Sequence, residues 1–167
     1  MTRREQGDLG ELSAMEWFAG RGAKICVPLG HSPDWDFVVE LDGELLRVQV
    51  KTSTFRRKGR WEVAICTRGG NQSWSGLVKR FGAAGCDYLF VVAGDGRRWC
   101  IPSDLVEGGN AIRLGGPKYE RFEVERGRPL VSTQPAPETQ ALASNGPVLP
   151  RLAAARGDVR VVKGDGL

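Results

Sequence analysis

The sequence predicts an α/β fold in which helices pack around a mixed central sheet. Three observations lead to this fold class. An amphipathic segment near the start predicts a helix, an Asp-Gly pair between two β-rich runs predicts a hairpin, and a strongly apolar run predicts a buried strand. A second Asp-Gly turn follows that strand. The predicted order is therefore a helix, three or four strands, a helix and a strand pair.

The first predicted element is an amphipathic helix over residues 7 to 21, in which apolar residues such as Leu12 and Phe18 recur at helical spacing. On the helical period, Glu11 falls in the middle of this apolar face. A carboxylate aimed at a core is costly unless it is paired, protonated or bound to a cation, so Glu11 is a candidate functional residue. The alternative is a glutamate that reaches solvent from the first turn and is favoured by the helix dipole.

The Asp42-Gly43 pair favours a two-residue hairpin turn with positive φ. In the resulting register Asp36 lies opposite Gln49, and alternation along the strand puts Lys51 on the same face as Gln49. A longer loop or a bulge would change this pairing. The apolar side chains of the hairpin fill the other face: Phe37, Val39, Leu46, Val48 and Val50. The hairpin thus carries a polar cluster of Asp36, Gln49 and Lys51 opposite a core face.

The rest of the chain supplies further elements and a tail. We predict strands over residues 23 to 29, 62 to 67, 88 to 93, 99 to 101 and 119 to 125, a short helix over 74 to 81, and a helix start at 103 to 105. From residue 127, proline and small polar residues replace large apolar ones. Residues 1 to 126 are therefore predicted to form one domain, and residues 127 to 167 a flexible basic tail that is solvated or touches nucleic acid.

Charge is distributed unevenly along the chain, although the net charge is only +4. Residues 47 to 80 hold 9 basic and 1 acidic side chains, a local net charge of +8. Binding of such a block to a phosphate backbone is favoured because it releases counterions. The alternative interpretation is a solvated basic loop. The predicted DNA-binding residues are Arg56, Arg57, Lys58, Arg60, Lys79 and Arg80.

Other functional classes find little support in the composition. The four cysteines lack CxxC spacing and are predicted to be reduced core residues. With His31 as the single histidine, His-rich metal sites and two-histidine nuclease motifs are nearly excluded. The sequence has no apolar run of membrane-spanning length and no signal peptide, so we expect a soluble, cytoplasmic protein without a membrane partner.

The polar residues of helix and hairpin suggest phosphodiester chemistry. Glu11 and Asp36 supply carboxylates, and Gln49 supplies an amide oxygen, which are the hard ligands that Mg²⁺ prefers; Mn²⁺ is an expected substitute. Lys51 could orient a water or stabilise charge that develops on phosphorus. The four predicted catalytic residues are Glu11, Asp36, Gln49 and Lys51, with Glu11 and Asp36 as the metal ligands.

The segments "GELSAMEWFAGRGAKICVP", "DWDFVVEL" and "VQVKTST", followed by "CDYLFVVAGDGRRWCIPSDL", resemble in order and spacing the PD-(D/E)XK nuclease superfamily. The resemblance covers about residues 5 to 125 and is closest to small group I intron homing endonucleases and, more distantly, archaeal-type Holliday junction resolvases. It implies a restriction-endonuclease-like αβββαβ core. It also implies metal-binding roles for Glu11 and Asp36, and the role of catalytic lysine for Lys51.

Two departures from the family pattern affect the predicted site. The literal Pro-Asp pair is Pro33-Asp34, but Asp36 opens the apolar strand, so we predict Asp36 as the ligand and keep Asp34 as the alternative. Gln49 stands where most members have an acid, which removes one negative charge. We therefore expect weaker metal binding, or metal binding that depends more on Glu11.

Three functional hypotheses follow from the sequence. The first is a Mg²⁺-dependent DNA endonuclease of the homing or resolvase type, acting on duplex or branched DNA as a homo-oligomer, either a dimer or a tetramer. The second is a catalytically weak DNA-binding module with the same fold. The third is a structural or regulatory protein whose basic block binds an acidic partner; it would lack salt-sensitive affinity for DNA.

Overall fold

The computed structural model describes residues 1–29, 34–68, 78–82 and 85–130, with the side chains of 67, 68, 78 and 79 left undescribed. The chain divides into two units, residues 1–135 and 136–167, and all described residues belong to the first. The helix is α1, Arg3–Ala19, and 3₁₀-helices cover Ser103–Val106 and Pro117–Phe122. The strands are β1 Lys24–Cys26, β2 Phe37–Leu41, β3 Glu44–Ser53, β4 Arg56–Arg57, β5 Arg60–Ala64, β6 Thr67–Arg68, β7 Val78–Lys79, β8 Tyr88–Ala93, β9 Arg98–Pro102, β10 Ala111–Leu114 and β11 Glu123–Val124.

The central sheet has six strands in the order β1-β2-β3-β8-β9-β11. The β3–β8 pair is parallel and the other pairs are antiparallel, so the predicted α/β class and mixed sheet are confirmed. One face packs on α1 through Phe18, Phe37 and Phe90. A three-stranded sheet, β10-β5-β4, covers the other face, where Trp61 and Ile112 join the core. Within the described residues, the sheet therefore has a helix on one side and a second sheet on the other.

The β2–β3 hairpin has the predicted geometry. Asp42 and Gly43 have φ values of 53° and 84°, as a two-residue turn of type I′ requires. Phe37 pairs with Val48, which is the predicted register. Both side chains are fully buried against α1. Local turn chemistry thus determines which face of the hairpin is polar.

The helix α1 begins earlier than predicted because of a capping box. The Thr2 hydroxyl accepts a hydrogen bond from the Glu5 backbone N–H, and the Glu5 carboxylate accepts one from the Thr2 backbone N–H. These two bonds satisfy donors that the first helical turn otherwise leaves unpaired. The helix therefore starts at Arg3 rather than at Gly7.

The buried face of α1 also differs from the predicted one. It consists of Gly10, Ala14 and Phe18, whereas Leu12 is 61% exposed. Gly10 and Ala14 are small and lie four residues apart, so the helix approaches the sheet closely along this face. The predicted apolar face, which includes Leu12, is wider but is not the one that packs. Glu11 lies half-buried at the edge of the packed face rather than in its middle.

A buried arginine holds α1 against the sheet. Arg98, on β9, is 4% exposed and donates to the Ser13 carbonyl at 3.1 Å and to the Glu16 carboxylate at 2.6 Å. Its Nε donates to the Glu125 carbonyl at 2.6 Å. Because a buried guanidinium is stable only when its donors are satisfied, this residue fixes the helix relative to the strands.

Several smaller predictions change or fall outside the described residues. The first half of the helix predicted over 74 to 81 lies outside them, and of its described residues Val78–Lys79 form a strand paired with β6. The residues around Tyr119 form a 3₁₀-helix, so the last predicted strand shortens to Glu123–Val124. The predicted tail is described only to Leu130, whose N–H donates to the Gly94 carbonyl at 3.0 Å.

The four cysteines are free thiols, as predicted, but they are not all core residues. Cys86 is buried, Cys66 and Cys100 are half-buried, and Cys26 is exposed. Burial raises the pKa of the Cys86 thiol to about 11 and that of Cys100 to about 12, so both remain protonated at neutral pH. Within the described ranges, no helix is long and apolar enough to cross a membrane.

Candidate active site

Asp36 lies directly before β2 and is fixed by the backbone of β3. Its N–H donates to the Val48 carbonyl at 2.8 Å, and its Oδ2 accepts the Val50 N–H at 2.6 Å. In the described part of the chain, its other oxygen, Oδ1, accepts no hydrogen bond. Burial raises the pKa of Asp36, while the Val50 N–H and the Lys51 ammonium oppose that rise. Asp36 is therefore a fixed, half-buried carboxylate, one oxygen of which accepts no hydrogen bond from the described residues.

Gln49 and Lys51 lie on β3, which is flanked by β2 and β8 within the sheet. They are in parallel register with Leu89 and Val91, whose side chains belong to the core beneath the second sheet. Both polar side chains are half-buried at this face. A strand paired on both sides is a rigid support, so the two groups are held in place before any ligand arrives.

Glu11 approaches the same cluster from α1. Burial raises the pKa of the Glu11 carboxyl, and the negative charges of Asp36 and Asp8 raise it further, against the opposing effect of Lys51. Glu11 therefore lies within electrostatic range of Asp36 and Lys51. The structure thus places the predicted carboxylates and the lysine within this range of one another, although they come from separate parts of the chain.

A close contact between α1 and β3 sets this arrangement. A Cβ on Gly10 would lie 2.1 Å from Cγ2 of Thr52, and the Gln6 side-chain amide donates to the Thr52 hydroxyl at 3.0 Å. Gly10 immediately precedes Glu11, and Thr52 immediately follows Lys51. The contact therefore fixes the distance between the helix carboxylate and the strand lysine.

Sequence reasoning missed Gln6, Gly10 and Thr52 as positioning residues. The available signal was Gly10 itself, because a glycine inside a helix costs about 1 kcal/mol relative to alanine and usually has a packing reason. Gly7 carries the same helical cost without such a contact, so the sequence alone does not distinguish the two.

Gly10→Ala is expected to lower the free energy of unfolding by about 1–3 kcal/mol, because the new methyl group overlaps Thr52 and pushes α1 from β3. We also expect slower DNA cleavage, since Glu11 moves with the helix. Denaturant unfolding and cleavage rates at saturating metal measure the two effects.

Gly7→Ala provides the matched control, since a Cβ there meets nothing within 4 Å. It should raise the free energy of unfolding by about 0.5–1 kcal/mol through helix propensity alone. The double variant Gly10→Ala/Thr52→Ser removes the opposing methyl group and should recover most of the loss. Equal stabilities for Gly10→Ala and Gly7→Ala would contradict the close contact.

Asp34, the alternative ligand, differs from Asp36 in its surroundings. Its side chain is exposed and lies against Gly85, where a Cβ would come within 2.8 Å of Asp34 Cβ. Asp36 is half-buried and anchored to β3, the strand that carries Lys51. The geometry therefore favours Asp36 as the carboxylate of the cluster.

The donor set fits a divalent cation that keeps several waters. Two carboxylates with raised pKa and one amide oxygen are hard ligands of low number, as Mg²⁺ and Mn²⁺ accept. The residues that the structure describes contain no cluster of three or more His, Cys, Asp or Glu side chains that could hold a metal ion. Glu11 and Asp36 are thus the carboxylates that could hold the ion, with Gln49 as a neutral neighbour.

The β4–β5 hairpin presents four of the six predicted DNA-binding residues. The Arg56 guanidinium forms an ion pair with Asp95 at 3.0 Å and stacks 4.1 Å from the Trp61 ring centroid. Asp95 therefore partly neutralises its charge. Arg57 lies 3.9 Å from a carboxylate oxygen of Glu62.

The remaining predicted DNA-binding residues differ in how they are held. Lys58 occupies the hairpin turn with φ of 51°, and it and Arg60 are exposed and form no ion pair within the described ranges. Arg80 is exposed, and the Lys79 side chain lies outside the description.

Comparisons with known proteins identify the family and the fold. Residues 1–110 match the family model described as PD-(D/E)XK endonuclease. The fold is similar to that of a solved bacterial homing endonuclease, I-Ssp6803I, with a TM-score of 0.62 and 20% identity over 74% of this chain and 89% of that one. A search of curated proteins found no match. The family match covers most of the chain, and the chain therefore belongs to the PD-(D/E)XK endonuclease family.

Proposed function

We propose that the protein is a metal-dependent DNA endonuclease that hydrolyses phosphodiester bonds, with Mg²⁺ as the natural cofactor and Mn²⁺ as a substitute. The observation that carries the proposal is the approach of Glu11, on α1, to Asp36 and Lys51 at the β2–β3 hairpin. Two partly buried carboxylates that repel each other do not stabilise the fold, whereas a bound cation would compensate both charges.

Each residue has a chemical role in this proposal. Glu11 and Asp36 hold the cation, which when bound would polarise a phosphoryl oxygen and lower the pKa of a water. Gln49 offers an amide oxygen but no charge, so the site depends more on Glu11 than a site with three carboxylates would. Lys51 orients the attacking water and stabilises negative charge that develops on the phosphoryl group.

The substrate is proposed to be duplex or branched DNA. The exposed cations of the β4–β5 hairpin follow β3 directly, so a DNA backbone that reaches Lys51 can also meet Lys58 and Arg60. The fold similarity to a bacterial homing endonuclease supports a homing-type activity. The more distant sequence resemblance to junction resolvases keeps branched DNA as the alternative. A chain with one site needs a second copy to cut both strands, so we propose a homodimer or a homotetramer.

The test is cleavage of supercoiled plasmid and of a four-way junction at low salt, with Mg²⁺, Mn²⁺ or EDTA. Metal-dependent cutting supports the proposal, and the substrate that is cut identifies the class. Metal-independent binding without cutting would instead support a DNA-binding module. Absence of salt-sensitive DNA affinity would support a protein that binds an acidic partner.

A further inference from the structure

Phe55 is an exposed aromatic residue between the strand of the site and the basic hairpin. It is 60% exposed, and within the described residues it is the single aromatic among the exposed large apolar side chains. It follows the end of β3 and directly precedes Arg56, the start of β4. An exposed ring offers its flat face to a ligand, so Phe55 is a candidate binding residue if its surroundings favour one.

The backbone that carries the ring is firmly held. The Phe55 N–H donates to the Ser53 hydroxyl at 3.2 Å, and the Phe55 carbonyl accepts the Glu62 N–H at 3.1 Å. Ser53 is 6% exposed, and its hydroxyl also donates to the Glu62 carbonyl at 2.6 Å. The ring is therefore presented from a hydrogen-bonded junction of two strands rather than from a free loop.

The neighbours of the ring are cationic. Arg56 and Arg57 follow in sequence with side chains 51% and 58% exposed, and Lys58 is exposed at the turn. An apolar partner protein would be disfavoured next to these charges. A nucleic acid satisfies both features, because its phosphates pair with the cations while a base stacks on the ring.

The distance from Phe55 to the site limits which base it can reach. Phe55 is four positions after Lys51, so their Cα atoms are at most about 14 Å apart. Successive bases rise about 3.4 Å along a strand, so this Cα separation spans about four nucleotides, and we expect the ring to meet a base about that far from a phosphate held at Lys51.

We propose that Phe55 stacks on a DNA base displaced from the helical stack, within about four nucleotides of the phosphate bound at the site. Bases inside an intact duplex are already stacked on both sides, so the ring favours DNA whose stacking is broken at a branch point or a kink. The distance to the phosphate rests on the proposed nuclease function. The stacking itself does not.

The test uses the full chain and DNA containing 2-aminopurine, either at the branch point of a four-way junction or in the middle of an arm. EDTA prevents cutting, so the readout is binding and base fluorescence. Phe55→Ala should weaken junction binding about 5- to 150-fold and abolish the fluorescence change at the branch point, whereas Phe55→Trp retains both. Leu45→Ala, which removes another exposed apolar side chain at 70% exposure, should leave both unchanged.

Two outcomes would overturn the inference. Unchanged affinity and fluorescence in Phe55→Ala would mean that the ring does not meet a base. Loss of a homo-oligomer in Phe55→Ala by sedimentation, with unchanged 2-aminopurine fluorescence, would mean that the ring packs against a second copy of the chain. A protein that shows the stacking signal in EDTA but never cuts with metal would contradict the nuclease proposal alone.

Discussion

Lys51→Ala is expected to lower the DNA cleavage rate at saturating Mg²⁺ by about 10²–10³-fold, while DNA affinity in EDTA changes little. A positioned cation acts where negative charge develops in the transition state, and removing one such group from a preorganised site typically costs this much. Lys51 meets the condition because it stands half-buried on β3 in register with Val91, beside Asp36. Single-turnover cleavage separates its effect on the chemical step from its effect on binding.

Lys58→Ala is the matched control for Lys51→Ala. Lys58 is exposed at a hairpin turn and is proposed to meet only phosphate, so its removal should weaken binding and reduce the salt slope by about 1. Its cleavage rate at saturating DNA should equal that of the unmodified protein. Thermal unfolding should show both variants folded. If Lys51→Ala cleaved at the full rate and only bound more weakly, Lys51 would be another phosphate contact.

The parts of the site that were predictable from sequence depend on local chemistry. The Asp42-Gly43 turn requires positive φ at both positions and fixes the register of β2 against β3. Strand alternation then separates the face of Gln49 and Lys51 from the face that packs on α1. Each step involves residues close in sequence, so no knowledge of the tertiary fold is needed.

The position of α1 was less predictable because tertiary packing decides it. The longest apolar pattern pointed to Leu12, whereas the sheet accepts the face of Gly10, Ala14 and Phe18. What selects that face is the contact with Thr52, a residue 42 positions away from Gly10. Helical periodicity identifies a helix, but it does not show which of two candidate faces the partner will fit.

The second sheet was missed for a related reason. Its strands β4 and β10 have two and four residues, and β10 pairs with β5 across about fifty residues of chain. Short strands carry little periodic signal, and pairing over long separations leaves no local signature. This sheet supports Phe55 through Glu62. The surface that we propose for DNA therefore became visible only in the folded chain.

Asp36→Asn is expected to remove most metal affinity and to reduce cleavage by at least about 10²-fold, since the site loses half of its carboxylate charge. The substitution keeps the shape, and the amide oxygen can still accept the Val50 N–H. Burial raises the pKa of Asp36, so the ionised form is less favourable in the folded chain than in the unfolded chain. A neutral residue removes that cost, and unfolding stability should stay equal or rise slightly without metal.

Asp34→Asn distinguishes the two candidate ligands by the same measurements. Asp34 is exposed beside Gly85, so losing its charge should leave Mn²⁺ binding, measured by calorimetry, and the cleavage rate close to those of the unmodified protein. A stable Asp36→Asn protein that neither binds Mn²⁺ nor cuts DNA would show that the carboxylate is kept for function at the expense of stability. The opposite pattern, with loss in Asp34→Asn alone, would assign the ligand to the literal Pro-Asp pair and leave Asp36 as a support for β3.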